Sequence, residues 1–439
     1  MKHVFTRTSK LADYVAGAVL VLMPFHAFLT VWGSTLVGHY TLLRLWDDIA
    51  VAILLGLAAW WLIGDAALRR WLSGSLLMRL IVAYGGLTLL LGGISWLKGD
   101  VTTKALGYGL LVNLRFLVWF SAVLLAAQRS AFLRRHWLVL LLCPAAIAAF
   151  FATLQYTVLP HNFLAHFGYN VHTTITPIET INHDPHYIRV QSTLRGANPL
   201  GAYLVLVVTA LAVLFVRGRR KVVWATFGAV VLGALYASGS RSAWIGSLLS
   251  LGVVVWLALK TRRARLITGA ASLLVLAAAA STAVVFRGNV GLQNELLHTQ
   301  QHSAVHATSN AAHASALRTG LSDVLHQPFG DGPGSAGPAS QYNAAHGGPR
   351  IAENYYVQIA QETGWLGLAL FVSIVVLVAV ELYKQIDDSR LALTLLAALI
   401  GISFVNFLSH AWTDDTLAFV WWGLAGVALA GPEPSKHEV

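Results

Sequence analysis

The chain has a single cysteine, Cys143, among 439 residues, so no disulfide can form within it. Charged residues are scarce at 11%, whereas hydrophobic residues make up 56%. A soluble globular protein carries about 25% charged residues, so the composition indicates a membrane protein. No Walker, dinucleotide-binding or zinc-binding motif is present, which argues against ATP-driven transport by this chain.

Apolar runs recur from one end of the chain to the other. A helix of about 20 apolar residues crosses the roughly 30 Å hydrocarbon core of a bilayer. We therefore predict an all-α polytopic membrane protein with about twelve transmembrane helices, folded as one membrane domain over residues 1–439. The predicted helices are 12–32, 48–63, 76–96, 105–127, 137–159, 199–216, 222–237, 242–259, 264–286, 365–383, 391–409 and 417–429.

The basic residues predict the orientation of these helices. Twenty of the thirty Lys and Arg residues lie in the N-terminus, in the C-terminal tail and in the loops after even-numbered helices. Cytoplasmic loops carry this excess, so both termini are expected in the cytoplasm. The two long loops, 160–198 and 287–352, are then external. The same asymmetry and attraction to anionic lipid account for the net charge of +11, and nucleic-acid binding is not expected.

Arg115 is the charge placed deepest in a predicted span, near the middle of the fourth apolar run. A charge there is costly and requires a function or a partner. Arg115 either faces a ligand or forms an ion pair between helices with Asp47 or Asp48.

Two further arginines end the first external loop. Arg189 and Arg195 precede a helix that we expect to begin with Asn198 as its cap and Pro199 in its first turn. Guanidinium groups beside the positive end of a helix suit a phosphate, although contact with lipid headgroups is the alternative. Arg241 lies in a five-residue external link rich in serine and glycine, where it either contacts a ligand or belongs to a tight turn.

The second external loop holds the remaining candidates. Its first half, 294–319, is predicted to be a helix with His298, His302 and His306 on one face. This face is interpreted as polar surface and not as a metal site, because no further ligand completes a zinc set. The glycine-rich stretch 328–335 that follows either nests an anion or is a plain loop. Glu353 then precedes a helix that enters the membrane, where it either stabilises the positive end of the helix dipole or serves as a general base.

These segments resemble the O-antigen ligase and polymerase family, bacterial inner-membrane glycosyltransferases that use glycans linked to undecaprenyl diphosphate. The resemblance extends from about residue 115 to residue 422. Its most specific pieces are Arg189 with Arg195-Gly-Ala-Asn-Pro-Leu-Gly, Ser240-Arg241-Ser-Ala-Trp, Arg318 followed by Pro328-Phe-Gly-Asp-Gly-Pro-Gly, and Glu353-Asn-Tyr-Tyr. The resemblance implies that external arginines hold the donor diphosphate and that a residue at the start of the helix after the large loop serves the acceptor.

One departure from the family concerns that last position. Lipopolysaccharide ligases commonly carry His-Asn where this chain has Glu353-Asn354. A carboxylate also accepts a hydroxyl proton, and the nearby His346 offers an imidazole. Glu353 in place of histidine weakens the expectation of ligation to lipid A-core. It favours repeat-unit polymerisation or transfer to another surface-glycan acceptor.

The sequence thus predicts an inverting glycosyltransferase of the bacterial inner membrane with a periplasmic active site, no metal and no cofactor. It would move a glycan from undecaprenyl diphosphate to lipid A-core as a ligase, or to a second lipid-linked unit of O-antigen or exopolysaccharide as a polymerase. The predicted donor-binding residues are Arg189, Arg195, Arg241, Arg115 and Arg318, and the predicted catalytic residues are Glu353 and His346. The competing classes are a transporter of an anion or of the lipid-linked glycan, which broken helices at mid-membrane would favour, and a scaffold.

Overall fold

The computed structural model describes residues 2–182, 184–259, 309–344 and 348–431, with scattered positions between 261 and 289. Helices dominate these residues because the long apolar runs satisfy their backbone groups internally. The helices are α1 Lys2–Leu22, α2 His26–Val37, α3 Tyr40–Leu43, α4 Trp46–Gly64, α5 Ala66–Gly74, α6 Leu76–Lys98, α7 Thr103–Arg129, α8 Phe132–Thr157, α9 Ala197–Arg217, α10 Lys221–Ala237, α11 Arg241–Ala258, α12 Ser309–His326, α13 Tyr355–Tyr383, α14 Arg390–Leu408 and α15 Asp415–Leu429.

Within these described ranges, nine helical segments are long and apolar enough to cross a membrane. Two shorter apolar helices, α10 and α15, pack against α9 and α7. The predicted class, an all-α polytopic membrane protein, is therefore confirmed. The predicted run 264–286 falls largely outside the described residues, so the count of twelve spans stays a prediction. The described residues also form one short hairpin, β1 Glu179–Ile181 and β2 Asp184–Arg189, in the loop 160–198.

Aromatic side chains fill the contact between α7 and α15. The rings of Phe116 and Phe120 lie 5.2 and 5.7 Å from that of Trp422. The indole of Trp119 donates to the carbonyl of Phe419 (2.8 Å), which satisfies its polar atom in a buried position. These contacts fix the N-terminal end of α15 against α7.

The helix α13 is broken one-third of the way along by Gly364, whose φ is +67°. A break frees backbone groups that must find partners in an apolar surrounding. The glycine-rich segment, residues 328–335, provides them: Pro328 accepts from the N–H of Trp365 (3.0 Å), and the carbonyl of Glu362 accepts from an N–H of the segment (2.9 Å). The segment thus completes the hydrogen bonding of the broken helix.

The same segment also binds the side-chain carboxyl group of Glu362. The carboxylate of Glu362 is fully buried. One of its oxygens accepts from the backbone N–H of Gly334 (2.7 Å), and the other accepts from the amide of Asn113 on α7 (2.6 Å). A buried carboxylate is tolerated only with such partners. The backbone N–H of Gly334 is therefore used inside the fold.

The helix α7 and the glycine-rich segment approach each other so closely that side chains are excluded. A Cβ added to Gly109 would lie 2.7 Å from the Cα of Gly334, whereas one added to Gly107 would meet no atom within 4 Å. A contact of 2.7 Å requires one backbone to move.

We expect Gly109→Ala to lower the free energy of unfolding by about 1–3 kcal/mol, the usual result of overpacking. The measurement is thermal unfolding of the purified protein in detergent. Gly107→Ala is the matched control on the same helix, and alanine there should leave the melting temperature equal or slightly higher. Equal melting temperatures for the two variants would contradict the close approach.

The helix ends that meet at one end of the bundle are those expected on the external side. The ends of α8, α10 and α14 and the starts of α9 and α11 line two adjoining cavities there, together with the chain just before α13. At the other end, Arg217 of α9 donates to the carbonyl of Ile386, which follows α13 (2.5 Å). At these positions, loops predicted to be external and loops predicted to be cytoplasmic lie at different ends of the bundle, and their orientation stays a prediction.

Cysteine labelling tests which set of loops is external. In a Cys143→Ala background, Thr319→Cys on α12 should react with an impermeant maleimide added to intact cells with a permeabilised outer membrane. Asp388→Cys, between α13 and α14, should react only after the inner membrane is opened. Both positions are exposed. The reverse pattern would overturn the orientation.

Candidate functional site

Three residues singled out in the sequence line one cavity at the predicted external end. The cavity has a volume of about 430 Å³ and is lined by Arg189, Arg241 and Glu353, among others. We call it the arginine cavity. The residues come from β2, from the start of α11 and from the chain just before α13, so the fold brings together positions up to 164 residues apart in sequence (353 minus 189). His313 of α12 lines the same cavity.

Arg189 is held rigidly at the end of β2. Its Nε donates to the carbonyl of Ser238 (3.0 Å), and its Nη2 donates to the amide oxygen of Asn198 (2.5 Å). Glu179 lies 4.0 Å from its Nη1. Burial lowers the pKa of Arg189 and Glu179 opposes this effect, so an anion that entered the cavity would stabilise the charged guanidinium further.

The turn before α11 leaves space for this guanidinium. Gly239 has a φ of +61°, and a Cβ there would lie 3.2 Å from the Cγ and Nε of Arg189. Arg241 follows in the first turn of α11 and donates to the amide oxygen of Asn310 on α12 (2.7 Å). Asn310 and His313 lie three residues apart on one helix face, so Arg241 and α12 together form one wall of the cavity.

Glu353 adopts a left-handed backbone conformation, with a φ of +52°. This conformation is uncommon for a residue other than glycine and is retained only where its surroundings enforce it. Asn354 caps α13 by accepting from the N–H of Val357 (3.1 Å). The Glu353 carboxylate pairs with Nδ1 of His313. This hydrogen bond lowers the pKa of Glu353 in spite of burial, so the carboxylate is ionised at neutral pH.

The start of α9 differs from the prediction. The cap is Gly196 and not Asn198, since the helix begins at Ala197. A carboxylate from β1 already lies at this helix end: Glu179 accepts from the N–H of Ala197 (3.3 Å). Asn198 instead accepts from Arg189. The prediction was wrong because the hairpin, which is not apparent in the sequence, brings an anion to the helix start.

Arg195 lines a second, smaller cavity of about 180 Å³, and not the arginine cavity. We call it the Asp415 cavity, since Asp415 lies on its wall with Arg44. Burial lowers the pKa of His410, in the link between α14 and α15, and the charges of Glu353 and Arg195 both act on its ring. The two arginines of the predicted pair, Arg189 and Arg195, therefore face different cavities.

Arg115 forms an ion network between helices, one of the two alternatives that the sequence left open. Its guanidinium pairs with Asp47 (3.3 Å) and Asp48 (3.4 Å) of α4 and with Asp415 of α15. Arg44 joins the network at 3.8 Å from Asp415. Three carboxylates around one guanidinium satisfy a charge that would otherwise be costly in a buried position. Arg115 does not line the arginine cavity.

The other predicted residues lie apart from the arginine cavity or outside the described part. Arg318 is exposed on α12 and does not line the cavity. His346 lies outside the described residues, as do His298, His302 and His306. The predicted helix 294–319 is seen from residue 309 onward, as α12.

Two histidines of the site were missed. His313 continues the predicted helix face seven residues after His306, which was a usable signal. His410 lies in the short link between α14 and α15, where His410, Asp414 and Asp415 cluster between two apolar runs. Polar residues concentrated in so short a link between two apolar runs were the signal for the second cavity.

The fold and these residues define a polytopic membrane protein with a cavity in which two arginines face a carboxylate–imidazole pair. A family model described as O-Antigen ligase matches residues 228–372. The match extends from the middle of α10 to the middle of α13 and includes Arg241, His313 and Glu353 of the cavity. It confirms the resemblance to the O-antigen ligase family and supports glycan transfer of that general type. No curated protein matches the chain.

Proposed function

We propose that the protein transfers a glycan from undecaprenyl diphosphate to an acceptor hydroxyl in the arginine cavity, at the periplasmic face of the inner membrane. The observation that carries the proposal is the cavity itself, where Arg189 and Arg241 share the walls with Glu353 and His313. A cationic wall suits the diphosphate of a lipid-linked donor. A paired carboxylate and imidazole suit the removal of a hydroxyl proton.

Arg189 and Arg241 bind the donor diphosphate. Guanidinium groups present fixed forks that match phosphate oxygens. Both arginines are already oriented by neutral oxygen acceptors, Asn198 and Asn310. Two further predicted arginines have secondary roles: Arg195 acts from the Asp415 cavity, and Arg115 holds α7 against α4 and α15.

The step is a substitution at the anomeric carbon of the donor sugar. The acceptor oxygen forms a bond to that carbon while the bond to the phosphate oxygen breaks, and the diphosphate leaves with the electron pair. Arg189 and Arg241 stabilise the charge that develops on the leaving group. The residues present supply this stabilisation without a metal, and the energy comes from the sugar–phosphate bond. Attack from the face opposite the leaving group inverts the anomeric configuration.

The imidazole of His313 accepts the proton, and Glu353 orients that imidazole. The carboxylate alone is a weak base because its pKa is lowered by the hydrogen bond from His313. With Nδ1 directed at Glu353, Nε2 of His313 is left to face the acceptor hydroxyl. This arrangement supplies an imidazole although position 353 is not a histidine. We therefore assign the base to His313 in place of Glu353. His346, outside the described residues, is the alternative base.

The acceptor distinguishes a ligase from a polymerase. Lipid A-core is the acceptor of the ligase that we propose first, and a second lipid-linked unit is the acceptor of the alternative polymerase. Purified protein offered a fluorescent lipid-linked glycan with each acceptor in turn reports which product forms.

We expect Arg189→Ala and Arg241→Ala to lower transfer by roughly 10²- to 10³-fold, as the loss of a charge-stabilising donor does elsewhere. Lysine at either position should restore little, because its single ammonium lacks the fork of guanidinium donors. Transfer and donor binding are measured on the purified variants. Arg219→Ala, in a basic loop at the opposite end of the bundle, is the control. Undiminished transfer by Arg241→Ala would remove that residue from the donor site.

The pair of His313 and Glu353 gives a prediction about the base. His313→Ala should lower transfer by about 10²- to 10⁴-fold, the usual contribution of a general base. Glu353→Gln should cost less, because the amide keeps an oxygen that can accept from Nδ1 of His313 and so keeps part of its orientation. The measurement is kcat/KM of the purified variants.

The control for this pair is His326→Ala, at the last turn of α12. The imidazole of His326 forms a hydrogen bond with the carbonyl of Ser322, one turn earlier on the same helix. The control variant should leave the rate unchanged. If Glu353→Gln is as damaging as His313→Ala, Glu353 is itself the base.

A further inference from the structure

A third cavity adjoins the arginine cavity, and none of the predicted site residues lines it. It has a volume of about 510 Å³ and lies between the hairpin, the end of α8 and the end of α10. Gly239 lines both cavities, and it is the residue against which Arg189 packs. Glu353 and His313 line only the arginine cavity. The third cavity therefore opens from the Arg189 side of the site.

Aromatic rings cover much of its wall, and we call it the aromatic cleft. Tyr236 and Trp244 lie nearly parallel, with centroids 5.7 Å apart and an angle of 10°. Tyr156 meets Tyr236 edge to face at 6.3 Å. Tyr156 is 51% exposed and Tyr236 is 48% exposed, so both rings present a large surface. Tyr187 of β2 also lines the cleft.

Polar groups lie among these rings. Gln155, His161 and His186 line the same cleft, and the hairpin that closes it belongs to the external loop and not to an apolar helix. A polyprenyl chain requires a continuous apolar surface, because each buried polar group without a partner is costly. The mixed lining therefore does not suit the lipid part of the donor.

The same mixture suits sugar rings. A pyranose has faces made of C–H groups and an edge made of hydroxyls. The C–H groups are attracted to the negative face of an aromatic ring, and the hydroxyls form hydrogen bonds with amides, imidazoles and phenols. A concave site with aromatic walls and a few polar groups provides both contacts.

We propose that the aromatic cleft binds the sugar rings of the donor glycan that lie beyond the first sugar. This inference rests on the proposed function, since it places the diphosphate at Arg189 and Arg241. The first sugar must stay in the arginine cavity, where its anomeric carbon meets the acceptor. The following sugars then extend past Gly239 into the cleft. The acceptor approaches from the wall that carries His313, which does not border the cleft.

The test compares donors that differ only in glycan length. One donor carries a tetrasaccharide on undecaprenyl diphosphate, and the other carries only the first sugar of that tetrasaccharide on the same lipid. Tyr236→Ala and Tyr156→Ala should each raise KM for the tetrasaccharide donor by roughly 3- to 10-fold, as expected for the loss of one aromatic contact. Neither should change KM for the single-sugar donor by more than about twofold, a change below the smallest aromatic contact.

Two controls separate binding from folding. Tyr236→Phe keeps the ring and should keep most of the affinity for the tetrasaccharide donor. Tyr14→Ala removes another exposed tyrosine in an edge-to-face contact, with Phe132 at the opposite end of α8. Phe132 and Tyr156 are 24 residues apart, which is about 36 Å along a helix. Tyr14→Ala should leave both donors unaffected.

The outcomes are distinguishable. An equal rise of KM for both donors would mean that the cleft binds the diphosphate or its prenyl chain. An unchanged KM for both donors would mean that the cleft binds no part of the donor. Either result would overturn the inference. Failure of the wild-type protein to transfer from either donor would instead overturn the proposed function. In that case binding of the free tetrasaccharide, followed by saturation-transfer NMR, still tests the cleft, and loss of the signal in Tyr236→Ala but not in Tyr14→Ala would support it.

Discussion

The site depends on the two hydrogen bonds that the fully buried carboxyl group of Glu362 accepts. The carboxyl group accepts from Gly334 and Asn113, and so it ties the glycine-rich segment to α7 directly beneath the break in α13. An unpaired carboxylate in such a position would be strongly unfavourable. Release of the segment would leave a buried carboxyl group without its hydrogen-bond partners, and this cost holds the segment beside the break in α13.

Contacts of α12 connect the surroundings of Glu362 with the arginine cavity. Asp323 of α12 accepts from Gln361, the neighbour of Glu362 (2.8 Å), and pairs with Arg350 (2.9 Å). Arg350 also pairs with Asp331 in the glycine-rich segment (2.6 Å). These contacts fix α12 against the first turns of α13. His313, three turns before Asp323 on α12, is thereby held against Glu353.

The sequence predicted much of the fold because membrane insertion leaves a strong signal in composition. Apolar runs identify helices, and lone charges at one end identify a polar site, so Arg189, Arg241 and Glu353 were found and do line one cavity. Pairings between distant residues leave no such signal. Arg115 and Asp415 are 300 residues apart, and nothing in either local sequence indicates the other.

Local patterns also failed where a small tertiary element intervened. Asn-Pro at 198–199 is a good helix start in isolation, but the hairpin brings Glu179 to the start of α9 and moves the cap to Gly196. The helix face could have indicated His313, but its pairing with Glu353 could not be predicted, because only the packing of α12 beside the chain before α13 brings the two together.

The left-handed conformation of Glu353 is held by hydrogen bonds between the next two residues and the end of α14. Asn354 donates to the carbonyl of Phe407 (2.9 Å), and Tyr355 donates to that of Ser409 (3.1 Å). These bonds hold the strained residue from the end of α14, whose last residues also line the cavity. Since such a backbone persists only when its neighbours enforce it, the carboxylate direction is set jointly by α14 and by His313. A fixed carboxylate can orient an imidazole supplied by another helix, which is why an imidazole at position 353 itself is not required for the proposed chemistry.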